Sequence, residues 1–286
     1  MFCKCLRQHL LGRFIQQSNQ NNLEERKRTP SDLNRTLAQS SLDDELTREE
    51  FNEVLRRSGK DTAPGPDRIR YSDTRKLTEE DRAELYTIYQ ERSGKGYIPE
   101  DWTDSFYRPI PKPGKDHHKL NGYRILTTQN TDEKLMERIV ARKLARDLED
   151  RKLLRGKGWG SDQDNAHRKT QLHLRMTCRK DSRGKNKTVA AAINPEDAYN
   201  IIQFKPLIDL LMQYGVSLTL TRWVAGALPE RTVVMQLGNW SSAPHQLTTG
   251  PPQGSPLSPV LFNVYTKGLA DLNQNGSSKS LTHTGR

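Results

Sequence analysis

Cysteine is nearly absent. Cys3, Cys5 and Cys178 are too few and too scattered in 286 residues for a disulfide framework, and a lone Cys-x-Cys pair offers a metal only two ligands. Long apolar runs are missing as well. No stretch approaches the ~18 apolar residues of a membrane-spanning helix, and Lys4, Arg7, Gln8 and Arg13 break the apolar positions of the first twenty residues, unlike a secretory leader. These absences predict an intracellular chain with reduced thiols and no membrane partner. None of the Gly-Lys pairs from Gly59-Lys60 to Gly184-Lys185 has a glycine five residues earlier together with a following Ser or Thr, so a P-loop is excluded. His117-His118 sit beside a turn and lack a Cys or carboxylate cluster, which argues against a zinc site, and no internal repeat is found.

What the chain does have is positive charge. The net charge of +11 points to a polyanionic partner. Residues 154–188 carry ten basic side chains against three acidic ones, or +7, and leave only +4 for the rest. Basicity is therefore a property of one aperiodic segment. A hydrophobic content of 33% with 28% charged residues suits a soluble globular protein with a modest core.

Apolar periodicity gives the element order. Thr47 with Glu50 forms a capping box, Leu46 and Phe51 stand at staple positions, and Phe51, Val54 and Leu55 mark a short helix. A second helix starts at Thr78 and runs through Leu85, Tyr86 and Tyr89 toward Gly94. Phe106 to Ile110 and Tyr123 to Leu126 read as strands around a Pro113-Gly114 turn. Leu135, Met136, Ile139, Val140, Leu144 and Leu148 then form one face of a long amphipathic helix, with Arg and Lys opposite. After a strand from Val189 to Ile193 come helices from Pro206 to Tyr214 and near Leu218 to Ala227. A hairpin follows in which Val233, Met235 and Leu237 alternate, Gly238-Asn239 turns, and a return strand leads to Gly250.

The run Gly250-Pro-Pro-Gln-Gly-Ser-Pro-Leu-Ser-Pro-Val-Leu-Phe-Asn263 describes a tight loop feeding a helix. Ser258-Pro259 is a cap and first-turn pair, and Leu261, Val264, Tyr265, Leu269 and Leu272 continue at helical spacing. The whole string resembles the loop that touches template-primer and incoming nucleotide in reverse transcriptases of non-LTR, LINE-like retrotransposons. The resemblance extends in order over most of residues 42–275. Ala63-Pro-Gly-Pro-Asp67 matches the segment before the fingers, Arg108-Pro-Ile-Pro-Lys-Pro-Gly-Lys-Asp116 the first finger strand and its turn, and Tyr123-Arg124 the second. It implies an α+β, right-hand polymerase fold with fingers and a partial palm built on an antiparallel sheet, the thumb being absent.

The same resemblance assigns residues. Lys112 and Arg124 fall on the fingers where basic side chains meet the triphosphate, as a point charge and a planar fork would. Tyr199 falls on the aromatic that excludes a ribose 2′-hydroxyl, Gln253 and Gly254 lie beneath the nucleotide, and Pro252 and Ser255 lie against the template-primer. The family joins nucleotides with Mg²⁺ pairs held by carboxylates. Its first carboxylate follows the pattern Asp-x-x-x-Ala-aromatic, and the matching stretch Ile193-Asn-Pro-Glu-Asp-Ala-Tyr199 puts Asn194 at that position. An amide brings no counter-charge, and losing several kcal/mol of metal stabilisation slows chemistry by roughly a thousandfold. The family's Asp-Asp hairpin is not found after Gly276, nor is its Gln-x-Gly-aromatic-Arg motif after the long helix. No productive metal site is expected.

The expected organisation is a flexible lead-in at 1–41, fingers and preceding helices at 42–153, a basic divergent segment at 154–188, a partial palm at 189–275 and a disordered tail at 276–286. The expected function is a truncated, degenerate and catalytically inactive reverse transcriptase domain whose partner is an RNA or DNA template-primer. Two alternatives are a domesticated nucleic-acid-binding protein and the unstable product of a decayed element. Protein partners, compartment within the cell and RNA or DNA preference are not indicated.

Overall fold

The computed structural model describes residues 45–58, 63–95, 102–119, 122–153, 199–229 and 231–271. The expected strand at Val189, Asn194, the three cysteines, the lead-in, the basic segment and the tail lie outside the described residues.

The first helix, α1 (Arg48–Arg56), begins where its capping box requires. Thr47 Oγ1 accepts from the Glu50 N–H at 3.2 Å, and the Thr47 N–H donates to Glu50 Oε2 at 3.4 Å. A single turn, α2 (Tyr71–Thr74), precedes α3 (Glu79–Lys95). Thr78 and Asp81 close the start of α3 reciprocally, each side chain accepting from the other's backbone N–H at 3.1 Å. One face of α3 presents Tyr86 and Tyr89 edge-on to Phe51 of α1, both at 5.6 Å between ring centroids. Tyr89 and Trp102 then donate to the backbone carbonyl and side chain of Asp132, at 2.7 and 2.9 Å. Two separate segments thereby meet the start of the long helix.

That helix, α4 (Thr131–Asp150), is the axis of the core. Its predicted face of Leu135, Met136, Ile139, Val140, Leu144 and Leu148 is buried throughout. It meets side chains from α1, from α5 (Phe204–Gln213), from α6 (Leu218–Ala227) and from α7 (Ser258–Asp271). Gly215, with φ +70°, stops α5: the Gly215 and Val216 N–H groups return to the carbonyls of Met212 and Leu211. The start of α4 is fixed by the Ala63-Pro-Gly-Pro-Asp67 segment. Asp67 accepts from the Thr131 and Ile69 N–H groups, both at 3.1 Å, while its own N–H donates to Asn130 Oδ1. Gly65 lies flat on the Gln129-Asn130 peptide.

Strands β1 (Asp104–Pro111) and β2 (Tyr123–Thr128) form the predicted antiparallel hairpin, with Ile110 opposite Arg124 and Phe106 opposite Thr128. The later strand β3 (Arg231–Leu237) joins the same sheet, parallel to β1, with Phe106 opposite Val234. Two short strands, β4 (Trp240–Ser241) and β5 (His245–Leu247), return antiparallel along β3, the first after the predicted Gly238-Asn239 turn. The sheet is thus mixed where an antiparallel one was expected, because strands far apart in the chain share it. Residues Tyr123, Ile125 and Met235 bury one face with Tyr107, Leu237 and Trp240 packed against them. The architecture is α+β, as expected.

Candidate nucleotide and template-primer site

The loop between β5 and α7 is shaped by its glycines and prolines. Gly250 has φ +80° and packs on Tyr199 and Asn200, so close that a Cβ would lie 3.1 Å from the Asn200 Cα. Gly254 has φ +119°, a backbone conformation that side chains rarely adopt, and a Cβ there would stand 2.9 Å from the Thr127 carbonyl. Between them the Gln253 carbonyl accepts from the Thr127 N–H at 2.7 Å, which ties the loop to the end of β2. Pro252 is buried, and its carbonyl takes the Ser258 hydroxyl at 2.7 Å, closing the loop onto the first turn of α7. Gly254 is exposed and Gln253 half-buried, so these two form the outer edge of the loop.

Ser255 points inward. Its hydroxyl donates to Glu137 Oε2 at 2.5 Å and accepts from the Leu257 N–H at 3.0 Å. Tyr199 is brought to the same loop, its ring edge-on to Phe262 of α7 at 5.7 Å. Burial raises its phenol pKa above the usual value. Lys112 and Arg124 are together but elsewhere. The Lys112 N–H donates to the Gly122 carbonyl at 2.7 Å just beyond β1, and Arg124 stands exposed opposite Ile110 near that end of the hairpin. Along β2, Arg124 lies three residues from Thr127, or about 10 Å. The fold therefore gathers Tyr199, Pro252, Gln253, Gly254 and Ser255 at one end of β2 and places the two basic residues toward the other. Arg108, opposite Leu126, adds a third basic side chain to the Arg124 face. Its Nε reaches Thr128 Oγ1 at 3.3 Å.

Beneath the loop lies a buried ionic network to which the sequence reading gave no role. Gln129, just before α4, and Glu133 and Glu137 within it follow one another at four-residue spacing, and Arg231 faces them from the inward phase of β3. Arg231 is 2% exposed, Glu133 1% and Glu137 0%. Arg231 Nη2 donates to Glu137 Oε1 at 3.0 Å, and Nη1 lies 3.0 Å from Glu133 Oε1, close enough for an ion pair but not aligned for a hydrogen bond. Gln129 Nε2 donates to both carboxylates, at 2.5 and 2.9 Å, and Arg231 Nε donates to the Ala227 carbonyl at 2.5 Å. A sequence signal existed: two glutamates at i and i+4 repel on an isolated helix and call for a cation from outside.

Two carboxylates share one guanidinium, so one of them titrates abnormally. Burial, with the neighbouring Glu137 charge adding to it, raises the Glu133 pKa far above its ordinary 4.5 despite Arg231. A raised carboxyl pKa stabilises the fold fully below its unfolded value, and that contribution is lost as pH rises toward the folded value. Glu133→Gln keeps the neutral shape, and its amide nitrogen can occupy the place of Oε2, which has no hydrogen-bond partner. Urea denaturation from about pH 5 to about pH 8 should show the stability difference moving steadily in favour of the Gln variant. A difference independent of pH would refute the assignment.

The described residues do not fit a Mg²⁺ pair. Among them no group of three His, Cys, Asp or Glu side chains is placed to hold a metal ion. The carboxylate tied to the loop, Glu137, is occupied by Arg231, Gln129 and Ser255. Nor, among them, is any helix long and apolar enough to cross a membrane.

Comparison with known proteins gives this geometry its context. The model of the reverse transcriptase (RNA-dependent DNA polymerase) family matches residues 110–282, more than half of the chain. The probable RNA-directed DNA polymerase from transposon BS of Drosophila melanogaster is 25% identical over 232 residues, covering 77% of this chain and 24% of that protein. The RNA-directed DNA polymerase from mobile element jockey of the same fly is 24% identical over 230 residues, covering 78% and 24%. The Pol polyprotein from type-1 retrotransposable element R2 of Popillia japonica is 24% identical over 171 residues, covering 59% and 23%. The chain spans about a quarter of the length of these relatives.

Proposed function

The chain belongs to the reverse transcriptase family, and from that premise we propose that it is a non-LTR retrotransposon polymerase domain that retains a template-primer and nucleotide surface without catalysis. The observation that carries the retained surface is the loop at 250–255, whose outer edge is Gln253 and Gly254 and whose backbone is bonded to the end of β2. On this reading Gln253 and Gly254 lie under the nucleotide and Tyr199 beside its ribose. Lys112 and Arg124 supply the charge that meets phosphate. The sheet face shared by Arg108, Arg124 and Leu126 fits a strand whose phosphates need cations and whose bases need apolar contact.

The loss of catalysis rests on Asn194. At the position of the family's first metal-binding aspartate it offers a neutral amide oxygen, a poor ligand for a hard cation that favours charged oxygen. Primer extension on an RNA template with a DNA primer and Mg²⁺ tests this directly. The unmodified chain is expected to bind the template-primer with an affinity that falls steeply with salt and to add no nucleotide. Incorporation by the unmodified chain at a rate comparable to an Asn194→Asp variant would refute the loss. Absence of salt-dependent binding by folded protein would refute the retained surface.

A further inference from the structure

The loop at 250–258 is held at three places, and they differ in kind. The Gly250 N–H donates to the Ile202 carbonyl at 3.0 Å, and the Gln253 carbonyl accepts from the Thr127 N–H at 2.7 Å. Both are main-chain bonds, to which no side chain contributes a donor or an acceptor. The third joins two side chains 118 positions apart, Ser255 and Glu137. Glu137 cannot swing, because its other oxygen is bonded by both Gln129 and Arg231. Arg231 is itself anchored on the carbonyl of Ala227, at the end of α6.

We infer that Glu137 and Arg231 are positioning residues for the loop: their buried ion pair fixes one carboxylate, and that carboxylate fixes Gln253 and Gly254 through Ser255. The chain of contacts is continuous. Arg231 orients Glu137, Glu137 takes the Ser255 hydroxyl, and the Ser255 oxygen takes the Leu257 N–H, two residues before Pro259. The loop therefore follows the relation of α4 to β3. Ser255 acts from inside, with its hydroxyl turned from solvent. This assignment rests on the preceding reading for what the loop touches, not for how it is held.

Full-length chain carrying Ser255→Ala, Glu137→Gln or both, followed by amide hydrogen exchange and by binding of an RNA–DNA template-primer, tests it. Each single change is expected to speed exchange of Leu257 and its loop neighbours by about tenfold or more, as loss of a charge-assisted hydrogen bond should. Each is expected to weaken template-primer binding, and the double variant no further than the stronger single one. Unchanged exchange in the loop overturns the proposal. So does weakened binding in Ser255→Ala alone, since a fully buried Glu137 cannot touch nucleic acid and the effect would then be direct contact by Ser255. If the unmodified chain binds no template-primer, the functional reading fails while exchange still decides the positioning. Should Glu137→Gln not fold, exchange in Ser255→Ala decides it.

Discussion

Arg231→Met is expected to lower the free energy of unfolding by about 3–5 kcal/mol near neutral pH, the usual consequence of removing one partner from a buried ion pair. Methionine replaces the alkyl stem well enough to leave little void. What it cannot replace is charge: Glu133 and Glu137 would remain inside the core with no cation, and the Ala227 carbonyl would lose its donor. Acid should relieve the defect, because protonating the carboxylates removes the uncompensated charge. Urea midpoints should therefore show a large gap between variant and parent near neutrality that narrows toward acid. A small, pH-independent gap would mean that the network is not ionic. Replacing Arg231, Glu133 and Glu137 together by apolar residues should recover much of the loss, since ion pairs of this kind repay little beyond their own desolvation. That triple variant should nevertheless keep a mobile loop, because Ser255 would have no carboxylate to hold it.

Gly65→Ala should damage the first half of the fold severely. A Cβ at this position would overlap the Gln129 carbonyl and stand 2.6 Å from the Asn130 backbone nitrogen. Neither is the movable end of a side chain, so the segment at 63–70 must lift away. Lifting it breaks the paired hydrogen bonds between Asp67, Asn130 and Thr131 and leaves the first N–H of α4, that of Thr131, without its acceptor. Overpacking of this kind costs about 1–3 kcal/mol, and the lost cap about 1 kcal/mol more. Thermal denaturation reads the total, and faster exchange at the Thr131 amide would locate it. A variant as stable as the parent would show that the contact yields easily.

The helices were legible because their signals are local. Thr47 with Glu50, Gly215 after Tyr214, and the six apolar positions of α4 each state an element's beginning, end or inner face within a few residues. The β1–β2 hairpin and the Gly238-Asn239 turn were readable for the same reason. The β1–β3 pairing was not, since no residue in either strand records which distant strand it will meet. In the site, the motif at Gly250 located the loop, and Gly254 proved to need its positive φ. The inward turn of Ser255 was not readable, because its partner Glu137 lies on a helix otherwise read as apolar on one side and basic on the other. Arg231 shows the same blindness: an arginine at the start of a strand reads as solvated until a carboxylate pair is found across from it.

The parallel pairing of β1 with β3 sets a timetable. Asp104 meets Thr232, 128 positions later, so an emerging polypeptide carries a finished β1–β2 hairpin with one side open long before its neighbour has left the ribosome. During that interval the open side offers unpaired amides and carbonyls to any extended peptide nearby. Synthesis rate and chaperone supply, more than final stability, should then govern the yield of folded protein in a cell.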